Sequence, residues 1–220
     1  MKPLRQIGLL LLCLVGLSAA AADWVLIKDK NDIRVYSQQK ADFPLKHFKG
    51  ETRINRSADN LLSALQDTKT CPEWVHNCLS NQMVDMINIR TRIYHTVIDS
   101  PLWLKSRDFY LQSRIVYDPK ERTFTIKFES KPNYGKEMDG MTRITDVEMM
   151  WRLQAVSKDA TAVSYHVYID PKLPFKSINH ALIKKSVFKT LQGLKELVKD
   201  PKYGETKYSK AELEMLTEGD

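Results

Sequence analysis

Over the second half of the chain, apolar and polar residues alternate nearly one for one. In "TFTIKFE", Phe124, Ile126 and Phe128 alternate with Thr125, Lys127 and Glu129. In "RITDVEMMWRL", Val147, Met149, Trp151 and Leu153 alternate with Asp146, Glu148 and Arg152. "AVSYHVYID" repeats the pattern with Val163, Tyr165, Val167 and Ile169, and in "RDFYLQSRIVY" Phe109, Leu111, Ile115 and Tyr117 share a face. "RIYHTVID" carries apolar residues on both faces, Ile93 and Val97 on one and Tyr94 and Ile98 on the other. A period of two predicts strands, and one-sided alternation predicts an antiparallel sheet with one wet face. The turns "YDPKERT" and "VSKDAT" are short enough for hairpins.

The first half and the end of the chain read differently. Short strands are expected at Asp23–Lys28, at "IRVYS" and at Lys46–Ile54. In "NRSADNLLSALQD", Ser57 is a helix N-cap and Ala58, Leu61, Leu62 and Leu65 recur at helical spacing. A second short helix is expected at Pro72–His76. A long helix is expected over Phe175–Lys199, with Ile178, Leu182, Phe188, Leu191, Leu194 and Val198 as its apolar stripe and Asp200-Pro201 as its stop. A last short helix is expected at Ser209–Thr217. The order of elements is α+β: a curved antiparallel sheet with one long C-terminal helix to cover its inner face. One stripe cannot fill the concave side of five long strands, so the interior either packs tightly on itself or leaves a cavity.

Residues 1–22 fall outside this pattern. Lys2 and Arg5 precede an apolar stretch from Ile7 to Leu17 and then the small residues Ser18–Ala22. This is the order of a secretory signal peptide. About 11 apolar residues are too few to span a bilayer, which needs roughly 20. Cys13 invites a lipoprotein reading, but Leu10-Leu11-Leu12 lacks the small residue expected before a lipidated cysteine. The expected organisation is therefore a leader over 1–22, one domain over 23–200 and a tail over 201–220. Export leaves Cys71 and Cys78, in "CPEWVHNC", as the cysteines of the mature chain, and an oxidising compartment favours a bridge between them. The net charge of +7 falls to about +5 without the leader, with the basic residues scattered rather than in runs. Such a balance suits a soluble basic protein or an anionic surface.

Arg107 and Asp108 are neighbours in a strand and must point to opposite faces. If Phe109 and Leu111 face inward, so does Arg107. A buried cation is costly without a partner, so Arg107 calls for either a structural ion pair or the polar head of a ligand. Arg143 raises the same question at a strand end. The five histidines show no metal-ligand spacing, and no nucleophile elbow, phosphate loop or zinc signature is present. Basic residues do not interleave with the strand aromatics, which argues against nucleic-acid binding.

Several segments, taken in order, resemble a START domain, the lipid-transfer module related to the steroidogenic acute regulatory protein. They are "DWVLIKDKNDIRVYS", "HFKGETRI", "LLSALQDTKTCPEWV", "IYHTVIDSPLWLKSRDF", "TRITDVEMMWRL" and "VSYHVYIDPKLPFKSINHAL", and the resemblance runs from about Trp24 to Val198. The resemblance implies a helix-grip fold, a hydrophobic tunnel for one lipid or other hydrophobic small molecule, and no cofactor. On that basis the tunnel and its mouth are expected to involve Trp74, Tyr94, Arg107, Phe109, Arg143, Trp151, Tyr165, Leu173, Pro174, Ile178 and Leu182, with Leu102, Trp103 and Leu104 of "SPLWLKSRDF" as a lid. The competing reading makes that Leu-Trp-Leu run a plug for the end of the sheet. The expected role is lipid binding and transfer by a monomer in the periplasm or outside the cell, with transient membrane contact and no catalysis. The alternatives are an enzyme of cyclase or hydrolase type on the same scaffold, or a module that presents its filled cavity to a partner. The leader and the glycine-poor turn "DPKLPF" depart from the family's usual pattern.

Overall fold

The computed structural model describes residues 23–100 and 104–217. The leader and the tip of the "SPLWLKSRDF" loop, with Leu102 and Trp103, lie outside the described residues. Ten strands form an open sheet: β1 (Val25–Lys30), β2 (Ile33–Gln38), β3 (His47–Ile54), β4 (Cys78–Met86), β5 (Thr91–Ile98), β6 (Arg107–Asp118), β7 (Thr123–Ser130), β8 (Thr142–Arg143), β9 (Val147–Ser157) and β10 (Ala160–Ile169). Their order across the sheet is β1-β2-β3-β10-β9-β7-β6-β5-β4, all antiparallel. The two-residue β8 lies off this path, parallel to β6. Asn31 and Asp32 both adopt positive φ in the turn between β1 and β2, the geometry that matches a two-residue hairpin loop to strand twist.

The predicted hairpins β6–β7 and β9–β10 form at the expected turns. The alternating apolar residues of β6, β7, β9 and β10 face the concave side. Strand β4 is the one long strand the sequence reading omits. It is a sheet edge, and Leu79, Met83, Val84 and Met86 are exposed there. With little of it buried, no alternation is imposed on its sequence.

Helix α1 (Ala58–Gln66) starts as predicted, with the Ser57 hydroxyl accepting from the Asn60 N–H at 3.2 Å. A 3-10 turn (Thr68–Thr70) leads into α2 (Cys71–Trp74), and Cys71 bridges to Cys78 at the start of β4. Helix α3 (Lys176–Leu197) crosses the concave side of the sheet. It presses on β3 where Gly50 leaves room for Val187 and Leu191, and on α2 where Gly193 lies against the Trp74 carbonyl. The first turns of α3 are rotated relative to the predicted stripe. Asn179 and Ile183 are buried and Ile178 is 49 % exposed. The Asn179 side-chain amide donates to the Leu173 carbonyl at 3.3 Å, so a polar residue takes an inward position that hydrophobicity alone would not assign.

Residues 201–217, expected as a tail beyond the domain, pack onto α1. The Tyr203 hydroxyl donates to Asp67, the Asn60 amide to the Thr206 carbonyl, and the Tyr208 N–H to Asp59. Helix α4 (Lys210–Leu216) begins with a capping box between Ser209 and Glu212, and Leu216 joins the main core.

Candidate functional site

Between the sheet and helices α1, α2 and α3 lies a cavity with about 220 Å³ open to the centres of water molecules. Its floor is built by strand register. Ile115, Ile126, Trp151 and Tyr165 form one row across β6, β7, β9 and β10, and Ser113, Phe128, Met149 and Val167 form the next. Further along β6 come Leu111, beside Tyr94, then Phe109 beside Thr96, and finally Arg107 beside Ile98. Trp151 stacks on Tyr165 at 4.1 Å, and Trp74 meets the edge of Trp151 at 6.0 Å. Leu62 and Leu65 of α1 and Leu182 and Ile183 of α3 complete the apolar wall.

Of the residues expected around the tunnel, Trp74, Tyr94, Arg107, Phe109, Trp151, Tyr165, Leu173 and Leu182 line this cavity. Pro174 and Ile178 do not; both are exposed at the approach to α3. Leu104 is half-buried and also off the lining. The sequence reading omits Ser113, Leu111, Phe128, Met149 and Thr96 as lining residues. Parity was the available signal for Ser113, since it shares the inward face of β6 with Leu111 and Ile115.

Arg143 is a correction. It sits on the opposite side of the sheet, where Asp108 also points. Its Nη2 and Nε donate to Asp108 Oδ2 at 2.8 and 3.0 Å, and its Nη1 donates to the carbonyls of Pro132 and Gly135. His95 Nε2 lies 3.0 Å from the same carboxylate and its ring stacks on Tyr110. Asp108 is 0 % exposed. Burial by itself would raise its carboxyl, but the hydrogen bonds from Arg143 and His95 hold it below the usual carboxylate range. This cluster pins the loop of residues 131–141 to the outside of the sheet and takes no part in the cavity.

Arg107 faces inward, as the alternation requires, and is 5 % exposed. Of the two readings for Arg107, the structural ion pair does not form among the described residues. Its guanidinium donates instead to the carbonyls of Lys105 at 2.6 Å and Pro171 at 3.3 Å. Burial, with no compensating carboxylate, lowers its affinity for the proton. An arginine stays charged under such a shift, so a buried positive charge stands at this end of the cavity, with the exposed Asp99 next to Ile98 on the same lining. Farther in, the Tyr165 hydroxyl approaches the Met149 sulfur at 3.4 Å, and burial pushes its ionisation far above the usual range. Among the described residues, no cluster of histidine, cysteine and carboxylate side chains is placed to hold a metal ion.

The START domain family model matches residues 14–202. An uncharacterised protein of Pseudomonas aeruginosa is 25% identical over 181 residues, covering 81% of this chain and 88% of that one. The crystal structure of a STAR-related lipid transfer protein from Xanthomonas axonopodis superposes with a TM-score of 0.73 at 22% identity, over 80% of this chain and 99% of that one. Human STARD10 gives the same score at 17% identity, over 82% and 75% of the two chains. A Streptomyces aromatase/cyclase also shares the fold, at a TM-score of 0.51 and 10% identity over 70% of this chain and 94% of that one. Helix-grip architecture, an apolar cavity under the last long helix and the family match over most of the sequence agree: this chain belongs to the START domain family.

Proposed function

We propose that the protein binds one lipid, or a comparably hydrophobic small molecule, in the cavity under α3 and carries it between membrane surfaces outside the cytoplasm. The observation that carries this reading is the enclosed apolar space between the sheet and α3, which a ligand of matching character would fill. An apolar cavity lined by aromatic and aliphatic side chains with a few polar groups is the usual form of a small-molecule site. The order of charged, apolar and small residues over 1–22 and the Cys71–Cys78 bridge support export.

The approach to α3 supports the membrane half of the reading. Leu173 lines the cavity, and two residues on Phe175 is 62 % exposed, with Ile178 beyond it. Phe175 and Ile178 offer apolar area to a bilayer beside the end of the cavity that holds Arg107. The apolar run Leu102-Trp103-Leu104 stands just before Arg107 in the sequence. Basic residues of α3, such as Lys176 and Lys185, would draw an anionic surface by about 1 kcal/mol each. Burying the apolar tips adds about 25 cal/mol per Å².

Organic extraction of the purified mature protein, followed by mass spectrometry, tests the binding. A co-purifying lipid is expected in stoichiometric amount. Transfer between vesicles tests the carrier role: Phe175→Ser with Ile178→Ser is expected to slow transfer several-fold while leaving affinity for a soluble ligand unchanged. Failure of the protein to retain or take up any lipid would overturn the binding. Recovery of a chemically altered ligand would favour an enzyme.

A further inference from the structure

The cavity is polar beside Arg107 and polar again toward its other end, with apolar side chains between. At one end the buried Arg107 guanidinium has two backbone carbonyls as partners and no ion pair among the described residues. Asp99 lines the same cavity but does not pair with it. A guanidinium carries five N–H donors in a planar fork that matches a carboxylate. Toward the other end, with the Ile115–Ile126–Trp151–Tyr165 row beyond Ser113, two buried polar atoms reach no protein partner, the indole Nε1 of Trp74 and the Oγ of Ser113. Both residues line the cavity. The indole N–H can only donate, and the hydroxyl can donate or accept. Leaving such groups unsatisfied is costly, so this end suits a polar atom on the ligand. Between Arg107 and Ser113 on the inward face of β6 stand Phe109 and Leu111.

The spacing of these two polar places sets a length. Arg107 and Ser113 lie on the same face of β6, and six residues at about 3.4 Å each separate them by about 20 Å. An extended hydrocarbon chain with C–C bonds near 1.5 Å advances about 1.25 Å per bond, so about 16 carbons cover that distance. The volume sets a width. About 220 Å³ lies below the range of pockets that hold bulky drug-sized ligands, which suits one slender chain rather than two. We infer that the ligand, on the lipid-binding reading above, is a single-chain lipid acid of about 16 carbons. Its carboxylate sits on Arg107, and a hydroxyl or carbonyl near its far end meets Trp74 and Ser113. A neutral sterol hydroxyl would leave the guanidinium charge unmatched.

The test is competitive binding to delipidated protein, with palmitic acid, ω-hydroxypalmitic acid, hexadecanol, a sterol and a diacyl phosphatidylcholine as probes. Palmitic acid should bind at least about 10-fold more tightly than hexadecanol, because a hydrogen bond to a charged partner is worth that much or more. ω-Hydroxypalmitic acid should gain a further several-fold. Arg107→Gln should abolish the preference for acid over alcohol, and Trp74→Phe with Ser113→Ala should abolish the preference for the ω-hydroxyl. The probe series on the unmodified protein keeps the test valid if a variant fails to fold. Equal binding of acid and alcohol, or preference for the diacyl lipid or the sterol, overturns this inference and leaves the lipid-binding reading standing. Equal binding of the two acids overturns the far-end contact. Binding of none of the probes, with no lipid recovered on extraction, overturns the lipid-binding reading itself.

Discussion

Arg107 and Asp108 show how one peptide bond can divide two environments. Strand alternation sends the arginine into the cavity and the aspartate to the outside, where Arg143 and His95 receive it. The aspartate can be inferred from sequence to oppose the arginine, but its partners come from 13 and 35 residues away along the chain. Asp108→Asn should destabilise the protein by about 3–5 kcal/mol in urea unfolding, because Arg143 is left buried without its counter-charge. The histidines set an acid limit before Asp108 does. Burial, with Lys40 nearby, pushes His47 down to about 4, and burial with Lys49 does the same to His166. The unfolded chain, with histidines near 6.5, therefore takes up these protons first. Stability should be full above pH 6.5 and decline as the pH falls toward 4. Asp108 works in the next window: its contribution is present above the unfolded value of 3.8 and lost as the pH falls through its lower folded value. His47→Phe keeps a ring against Tyr168 and should flatten the decline between pH 6.5 and 4. An unchanged pH profile in urea titrations would rule His47 out as a source.

At the scale of elements, close approach matters as much as hydrophobic content. Gly193 lies within α3, where alanine would normally gain about 1 kcal/mol in helix propensity. A Cβ there would run into the Trp74 carbonyl of α2. Gly193→Ala should therefore lower stability by about 1–3 kcal/mol, with a measured gain instead showing that α2 can move aside. The Cys71–Cys78 bridge ties the same α2 to β4. Closing an eight-residue loop contributes about 2.5 kcal/mol in the chain-entropy model, so Cys71→Ser with Cys78→Ser should cost about that much. Unfolded, unreduced protein lacking residues 1–22 should show no free thiol. Helix α1 was legible because Ser57 and the Leu61–Leu62–Leu65 spacing are local signals, and β6, β7, β9 and β10 were legible because one face of each is buried. Strand β4 was not, because an edge with little burial leaves no periodic trace. The stripe of α3 was legible from Phe188 to Val198. Its first turns were misassigned because Asn179 turns inward for a hydrogen bond rather than for apolar burial.

For the whole molecule, the cavity links stability to cargo. A ligand that binds only the folded protein adds about 2.7 kcal/mol when present at a hundred times its dissociation constant. Delipidated protein should therefore melt below the loaded form, and the same lipids that compete in binding should restore the difference. A melting point indifferent to every lipid tested would contradict a filled cavity. Added salt should weaken docking to anionic vesicles, since only the charge contribution is screened. The sequence alone determined the α+β class, the inward residues of β6, β7, β9 and β10, the Ser57 cap and the inward direction of Arg107, and with two cysteines outside residues 1–22 it left one pairing to make. Apart from the cysteine count, these follow from local periodicity, local hydrogen bonding or the strict alternation of a strand. The tertiary structure decided the rest: that Arg143 serves Asp108 rather than the cavity, that the segment after residue 200 joins the core through Tyr203 and Leu216, and that Trp74 and Ser113 share one cavity with Arg107. Those outcomes depend on which elements meet across the sheet, and residues far apart in the chain carry no local mark of where they will be brought together.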